Sequence, residues 1–293
     1  MRPPVSVIVP VCDSAPWLER CVDSLLAQSL PGLEIILVDD ASKDESPALC
    51  ARYAEQHPGR VRCLALPQRQ GPGAARNAGL AQAQGEFLGF VDSDDAAAPE
   101  MYAELYRHAQ AEKADIVVCG FRLAAENSVR EILPRLAGEL QPAQLLFQRK
   151  MQPSAWNKLF RKSFVDRTHT AFPETYCAED MAFVFMLMTE NPLIYAIAKP
   201  LYIYYYRYTS MTADILRRKD TLESLLYIKR QLIAKGEYHK YKYKYAYMYF
   251  IHAIYYPLQL LVVRSLLRGE NRRMNVKNFP AYAYLCCSYL FKK

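Results

Sequence analysis

The chain has 293 residues, 52% of them hydrophobic and 23% charged, with a net charge of +7. Those proportions exclude disorder, a collagen-like repeat and a coiled coil, and the length suits one large domain or two small ones. The charge is unevenly spread, at −7 over residues 1–120, +2 over residues 121–214 and +12 over residues 215–293, which points to a different partner for each end.

The first hundred residues alternate strand and helix signals. Val5–Pro10 is a short apolar run stopped by proline and predicts a buried strand. Trp17–Ala27 carries apolar residues at helical spacing. Glu34–Val38 predicts a second strand ending at Asp39-Asp40, and Ser46–Gln56 a second helix. Val61–Leu66, Gly73–Ala83 and Phe87–Val91 repeat the pattern, the last ending at Asp92-Ser93-Asp94-Asp95. Pro99–Ala111 predicts a helix and Ile116–Cys119 a fifth strand. That order predicts an α/β fold with a mixed, mainly parallel sheet flanked by helices. Residues 121–150 read as irregular, with a helical segment near Pro142–Phe147, and residues 154–208 as helix mixed with short strands.

Beyond residue 215 the chain reads as a helical, basic, Tyr-rich extension. Tyr247–Val263 is mostly apolar but interrupted by His252 and Pro257, at the lower edge of bilayer-spanning length. Lys240, Lys242, Lys244, Arg264 and Arg268 flank it on both sides. The segment suits interfacial contact with anionic lipid better than a span. A helical cap with a solvated basic face is the alternative. The run from His239 to Tyr245 has the charge and stacking groups of a nucleic-acid site, yet a solvated or membrane-facing helix needs fewer assumptions, so no nucleic-acid partner is expected. Binding of an anionic glycan acceptor is a third reading.

Several classes of chemistry are excluded. The eight cysteines form no C-x-x-C pair, so zinc-ribbon spacing is absent. The histidines do not pair at metal-ligand spacing. A P-loop is missing, and Gly71-Pro72-Gly73 lacks the dinucleotide fingerprint and follows the third strand instead of the first. Met1–Pro4 carries no signal-peptide run, so a cytosolic protein with reduced thiols is the expectation.

The acids carry the chemistry. Ligands of such sheets bind beyond the carboxyl ends of the strands, and Asp39, Asp40, Asp92, Asp94 and Asp95 lie at two of those ends. Strand-end aspartates are often turn formers. Five together repel unless a cation or a hydrogen-bond-donating ligand sits among them, and a hard divalent ion with diphosphate oxygens meets that need.

These stretches resemble the family 2 glycosyltransferases of GT-A fold. The resemblance is carried by Val5–Val11, Glu34–Asp44, Gly73-Ala74-Ala75-Arg76-Asn77-Ala78-Gly79, Gly85–Leu88 and Phe90–Asp95. It continues through Trp156-Asn157-Lys158-Leu159, Glu179-Asp180 and Tyr204–Ser210. It covers about residues 5–212 and implies a GT-A domain over 1–214, with a nucleotide-sugar half (1–120) and an acceptor half (121–214). Pro10, Val11 and Asp13 would line the base pocket, with Asp39 and Asp40 beside them and Asp40 on the nucleobase. Arg76 would lie near the diphosphate. Asp92 would reach the ribose or sugar, Ser93 lies between the acids, and Asp94, with Asp92, would ligate Mn²⁺ or Mg²⁺. Asp180 would be the general base, with Glu179 as the alternative. Lys158 and Arg207 would add positive charge around the leaving group, or else serve as structural ion-pair residues.

The resemblance implies an inverting, metal-dependent transfer from a nucleotide-diphosphate sugar, a UDP-sugar first. The acceptor would be a glycan or glycolipid of lipooligosaccharide, capsule or similar polysaccharide, at the inner face of the cell membrane. Two departures stand out. Cys12-Asp13 replace the family's frequent Tyr-Asn, removing a ring that stacks on the base, and Asp44-Glu45-Ser46 replace Asp-Gly-Ser. A nucleotidyltransferase-like enzyme and a non-catalytic scaffold are the rival readings. The first-strand loop Val11–Ser14 lacks the basic, Gly-rich character of the former, and the retained acids argue against the latter.

Overall fold

The computed structural model describes residues 2–126, 128–142, 153–207 and 218–249. Residues Met1–Ser210 form one compact unit and Met211–Lys293 a second. In the first, strands β1 (Val5–Val11), β2 (Glu34–Asp39), β3 (Val61–Ala65) and β4 (Phe87–Phe90) pair in parallel in the order β3-β2-β1-β4. Every residue of β2 and nearly every residue of β1 is buried, as expected of strands covered on both faces.

Helices α1 (Ala15–Leu26), α2 (Ser46–Gln56) and α3 (Pro72–Gln82) connect these strands. Leu18, Cys21, Val22 and Leu25 form the buried stripe of α1. The Asp44 carboxylate accepts the Ala15 and Ser46 amides, both at 2.9 Å. One side chain thereby satisfies an end of both α1 and α2, a task helix N-termini require of some acceptor. Asp44 thus has a structural use within the loop where the family's glycine is missing.

The sheet then continues with a change of direction. β9 (Lys158–Arg161) runs antiparallel between β4 and β6 (Ile116–Ala125), and β10 (Ile194–Tyr205) lies parallel to β6. Short strands β5 (Ala96–Ala97) and β8 (Gly138–Leu140) pair antiparallel with β10, and β7 (Ser128–Ile132) with β6, giving ten strands among the described residues. With β7 and β8, residues 128–140 are therefore more ordered than the irregular stretch the sequence suggests. The helical segment near Pro142–Phe147 lies, past Pro142, outside the described residues.

Helix α4 (Met101–Ala111) packs Met101, Tyr102, Leu105 and Ala109 into the core, and α5 (Lys162–Thr168) follows β9. Helix α6 (Glu179–Thr189) is buried from Met181 through Thr189, as a helix apolar on all sides must be. Phe183 stacks on Phe172 at 3.9 Å and meets Phe90 of β4 and Phe160 of β9 edge-on. That aromatic cluster fixes α6 against the sheet one turn below Glu179.

In the second unit, α7 (Arg218–Ala234) and α8 (Tyr238–Tyr249) form a hairpin. Gly236, at φ +69°, makes the turn. Its amide and that of Glu237 close on the Ile233 and Leu232 carbonyls, a left-handed helix stop that glycine allows without strain. Among the described residues no helix is long and apolar enough to cross a membrane. The apolar segment Tyr247–Val263 lies almost wholly outside them.

Candidate active site

The site is built on the carboxyl edge of β1, β2 and β4. Left-handed residues Asp13 (φ 48°) and Ala41 (φ 50°) turn the first two strand-end loops toward each other. Asp13 accepts the Lys43 amide at 2.7 Å and an Arg69 guanidinium N–H at 2.6 Å. The Lys43 hydrogen bond foremost, then Arg69, holds its carboxyl below the usual range. Pro10 lies within β1, paired with Val38 one residue before the strand's end. The Val11 side chain is in the core, so Val11 offers the edge only its backbone, whose carbonyl accepts the Asp40 amide at 2.8 Å.

The two acids of the early pair are held differently. Both Asp40 oxygens are taken by the protein's own amides, Gln70 at 2.6 Å and Gly71 at 2.8 Å. Asp39 accepts the Ser42 amide at 3.3 Å through Oδ2, while its buried Oδ1 has no partner. An unpartnered buried acceptor is costly unless a ligand N–H meets it. Of the two, Asp39 is the one with an oxygen to spare. Ser93 is tied into the same edge, its hydroxyl 2.7 Å from that of Ser14, whose amide donates to Ser46 Oγ at 2.8 Å.

Arg76 is the hub of the second half of the site. It is 4% exposed. One of its amino groups donates to Asp92 Oδ1 at 2.7 Å and the other to Glu179 Oε1 at 2.5 Å. Burial disfavours its charge, but Asp92, Glu179 and Asp180 around it outweigh that and raise its pKa. The guanidinium thereby joins the end of β4 to the start of α6. Asp180 Oδ1 accepts the Met181 amide at 2.7 Å. Burial raises the pKa of Glu179 and of Asp180 against the opposing pull of Arg76. A carboxylate lifted toward neutrality is a better proton acceptor for a hydroxyl than an ordinary one.

A third cluster surrounds the last two acids. Asp94 pairs through Oδ2 with Arg207, whose guanidinium lies 3.8 Å above the Trp17 ring. The Asp94 carbonyl accepts a hydrogen bond of 2.5 Å from Arg20, itself 3.6 Å above the Tyr205 ring. Asp95 is buried. It accepts the Tyr202 hydroxyl at 2.7 Å and the Tyr205 amide at 2.8 Å, while Tyr202 Oη accepts the Asp92 amide at 3.2 Å. Trp156 stacks on Tyr202 at 4.4 Å. Burial first, then the Asp92 charge, pushes the Asp95 carboxyl up to about 8. Lys158 does not reach the surface. It is fully buried, donating to the Ser154 carbonyl at 2.5 Å and Asn157 Oδ1 at 2.8 Å, and burial lowers it to about 7 while Asp180 supports its charge.

Two carboxylates suffice for a magnesium- or manganese-type ion, which keeps waters and shares phosphate oxygens. Asp92 and Asp94 are 29% and 22% exposed in their side chains, so the residue types and their access fit such an ion. Among the described residues there is no cluster of three or more His, Cys, Asp or Glu that could hold a metal unaided. Arg20, Trp17, Arg69 and Tyr202 were not foreseen. Only the helical spacing of Trp17 and Arg20 hints that they act together.

A sheet of this topology with helices on both faces, acids at its carboxyl edge and the Glu179-Asp180 helix start is a GT-A fold. The model of the Glycosyl transferase family 2 matches residues 6–172, and the chain belongs to that family. The uncharacterized glycosyltransferase EpsJ of Bacillus subtilis is 33% identical over 72% of this chain and 64% of its own length. Succinoglycan biosynthesis protein ExoO of Rhizobium meliloti is 32% identical over 59% and 51%. The chain thus spans only about half to two thirds of these relatives. Among solved structures, residues 1–349 of S. aureus TarS in complex with UDP-GlcNAc superpose with a TM-score of 0.69 at 24% identity. They cover 80% of this chain and 67% of TarS 1–349, a likeness of fold.

Proposed function

We propose that the protein is an inverting glycosyltransferase. It moves a sugar from a nucleotide-diphosphate sugar, a UDP-sugar first, to a hydroxyl of a surface polysaccharide or glycolipid. The observation that carries this reading is Arg76, which ties the strand-end acid Asp92 to the Glu179-Asp180 helix start. In this reading Asp92 borders the place of the departing diphosphate and the Glu179-Asp180 helix start supplies the base for the attacking hydroxyl, the two parts such a transfer needs.

In this reading the free Asp39 oxygen receives an N–H of the base, and Asp40 holds the Gln70–Gly71 turn that borders it. Asp180 takes the proton of the acceptor hydroxyl. The hydroxyl oxygen bonds to the anomeric carbon as the bond from that carbon to the diphosphate oxygen breaks, and the electron pair leaves with the nucleoside diphosphate. Arg207 would pair with that diphosphate. Asp92 and Asp94 would hold a divalent cation, which supplies charge neutralisation on the leaving group. Lys158 acts from beneath, as a buried charge near Asp180, and not as a phosphate ligand.

The polysaccharide acceptor rests on likeness to relatives such as the succinoglycan biosynthesis protein ExoO. Contact with the inner membrane face through residues 215–293 rests on their charge and on α8, where Lys240 and Tyr243 are exposed. The test is calorimetry of UDP, GDP, CDP and dTDP with and without Mn²⁺, on wild type and Asp94→Asn, beside turnover of UDP-sugars by Asp180→Asn. Metal-dependent UDP binding that Asp94→Asn weakens, with turnover lost but UDP binding kept in Asp180→Asn, supports the proposal. Folded protein that binds none of the four nucleotides sinks it in favour of a scaffold. Binding of another nucleotide keeps the mechanism and changes the donor.

A further inference from the structure

Asp94 is held at two points by residues of α1 and of the segment ending β10. Arg207 takes its carboxylate and Arg20 its carbonyl. Each guanidinium rests on a ring supplied by the other element, Arg207 on Trp17 and Arg20 on Tyr205. Trp17 and Arg20 are one helical turn apart and share a face. The arrangement is a crossed strap over the acid that the proposed function assigns to the cation.

A cation and a guanidinium are poor neighbours on one carboxylate. Ion binding at about 2.0–2.1 Å from an oxygen would put two positive charges side by side in a half-buried place, where water screens them weakly. Arg207 is 24% exposed in its side chain, and its Nε is buried without a partner, so the present pairing leaves part of its fork unsatisfied. A diphosphate would satisfy that fork better than one carboxylate oxygen does.

We infer that Arg207 stands in the cation's place on Asp94 until a nucleoside diphosphate arrives, and so makes cation and nucleotide binding interdependent. The inference rests on the reading of Asp94 as a cation ligand. Arg207 gives up Asp94 to the ion and pairs with the diphosphate instead. By linkage, the factor by which nucleotide tightens the ion equals the factor by which the ion tightens nucleotide. Trp17 is a positioning residue for this exchange, since it holds the guanidinium in reach of Asp94.

The test is calorimetric titration of the full chain with Mg²⁺, alone and with saturating UDP, in wild type, Arg207→Gln and Trp17→Leu. Wild type is expected to bind Mg²⁺ weakly alone and at least about tenfold more tightly with UDP, within the usual range of coupling. Arg207→Gln should bind Mg²⁺ alone about tenfold more tightly than wild type and lose most of the UDP enhancement. Trp17→Leu should move the same way by less. Mg²⁺ with UDP should also shift tryptophan emission in wild type, through release of Trp17, and not in Arg207→Gln. A merely structural Arg207 would instead weaken Mg²⁺ binding when removed. If Arg207→Gln binds Mg²⁺ no more tightly than wild type while UDP still enhances binding, the inference fails and the cation reading of Asp94 stands. If no form binds Mg²⁺ even with UDP, both fall together.

Discussion

Replacing Arg76 by Met removes the one cation between two acids. The Arg76 and Glu179 side chains are 5% and 8% exposed at their contact, whereas Asp92 is 29% exposed. Breaking one side of a buried pair costs about 3–5 kcal/mol because the remaining charge has no counter-ion. Water takes up part of the loss at Asp92, so Glu179 carries most of it and the lower part of that range, about 3–4 kcal/mol, applies. For a unit of this size each kcal/mol moves Tm by about 2–4 °C. Arg76→Met is therefore expected to melt about 6–16 °C below wild type at pH 8. The sign of its pH dependence follows from the same geometry. Without Arg76, folded Glu179 keeps its proton to higher pH than the unfolded chain does, so the folded state binds more protons and stability rises as pH falls. Scanning calorimetry at pH 8 and pH 6 should show the deficit shrink at pH 6. Adding Glu179→Gln to Arg76→Met should recover much of the loss, as coupled neighbours do in a double-mutant cycle. A single variant melting within about 2 °C of wild type at pH 8, less than about 1 kcal/mol, would refute the buried pair. So would a deficit of equal size at both pH values.

Two further outcomes follow from the same clusters. Asp95, buried and raised to about 8, holds a proton in the folded state that the unfolded chain releases near pH 4, so it contributes stability that is lost as pH rises from about 4 to about 8 and levels off above; Asp95→Asn should flatten the fall of Tm between pH 5 and pH 8, and an unchanged slope would disprove the assignment. Gly73→Ala would place a Cβ 2.1 Å from the Pro173 carbonyl oxygen, a backbone atom that cannot step aside. It should cost about 1–3 kcal/mol and, by shifting α3 from the loop before α6, lower turnover along with Tm; a variant with wild-type melting and turnover would show that the two segments tolerate separation.

The first half of the fold was legible because its signals are local. Val5–Pro10, Glu34–Val38 and Phe87–Val91 are short apolar runs closed by Pro or Asp, and they fold as β1, β2 and β4 with ends within one residue. Buried parallel strands read as continuous apolar runs, and Ser46–Gln56 begins and ends as its pattern predicts. The second half was not legible in the same way. β9 enters the sheet between β4 and β6 although both precede it by dozens of residues, and pairing of that kind leaves no trace in a local window. β10 runs through Lys199-Pro200. In the fold Pro200 sits at a register shift against β6, the place a strand tolerates proline.

The site divides along the same line. Its acids could be found because strand ends of an open α/β sheet are where ligands bind, but what neutralises each acid depends on residues far away in sequence. From the sequence, five strand-end carboxylates form a single repulsion that a cation or a hydrogen-bond-donating ligand relieves. In the folded chain they are relieved separately. Backbone amides of Gln70 and Gly71 hold Asp40, and Tyr202, the Tyr205 amide and a raised pKa hold Asp95. Arg76 holds Asp92 and Arg207 holds Asp94. Asp39 keeps one bare oxygen. A cation is therefore not required to stabilise the fold of this edge. Under the proposed function its place is conditional on a ligand that frees Asp94, with the unpartnered Asp39 oxygen kept for the base.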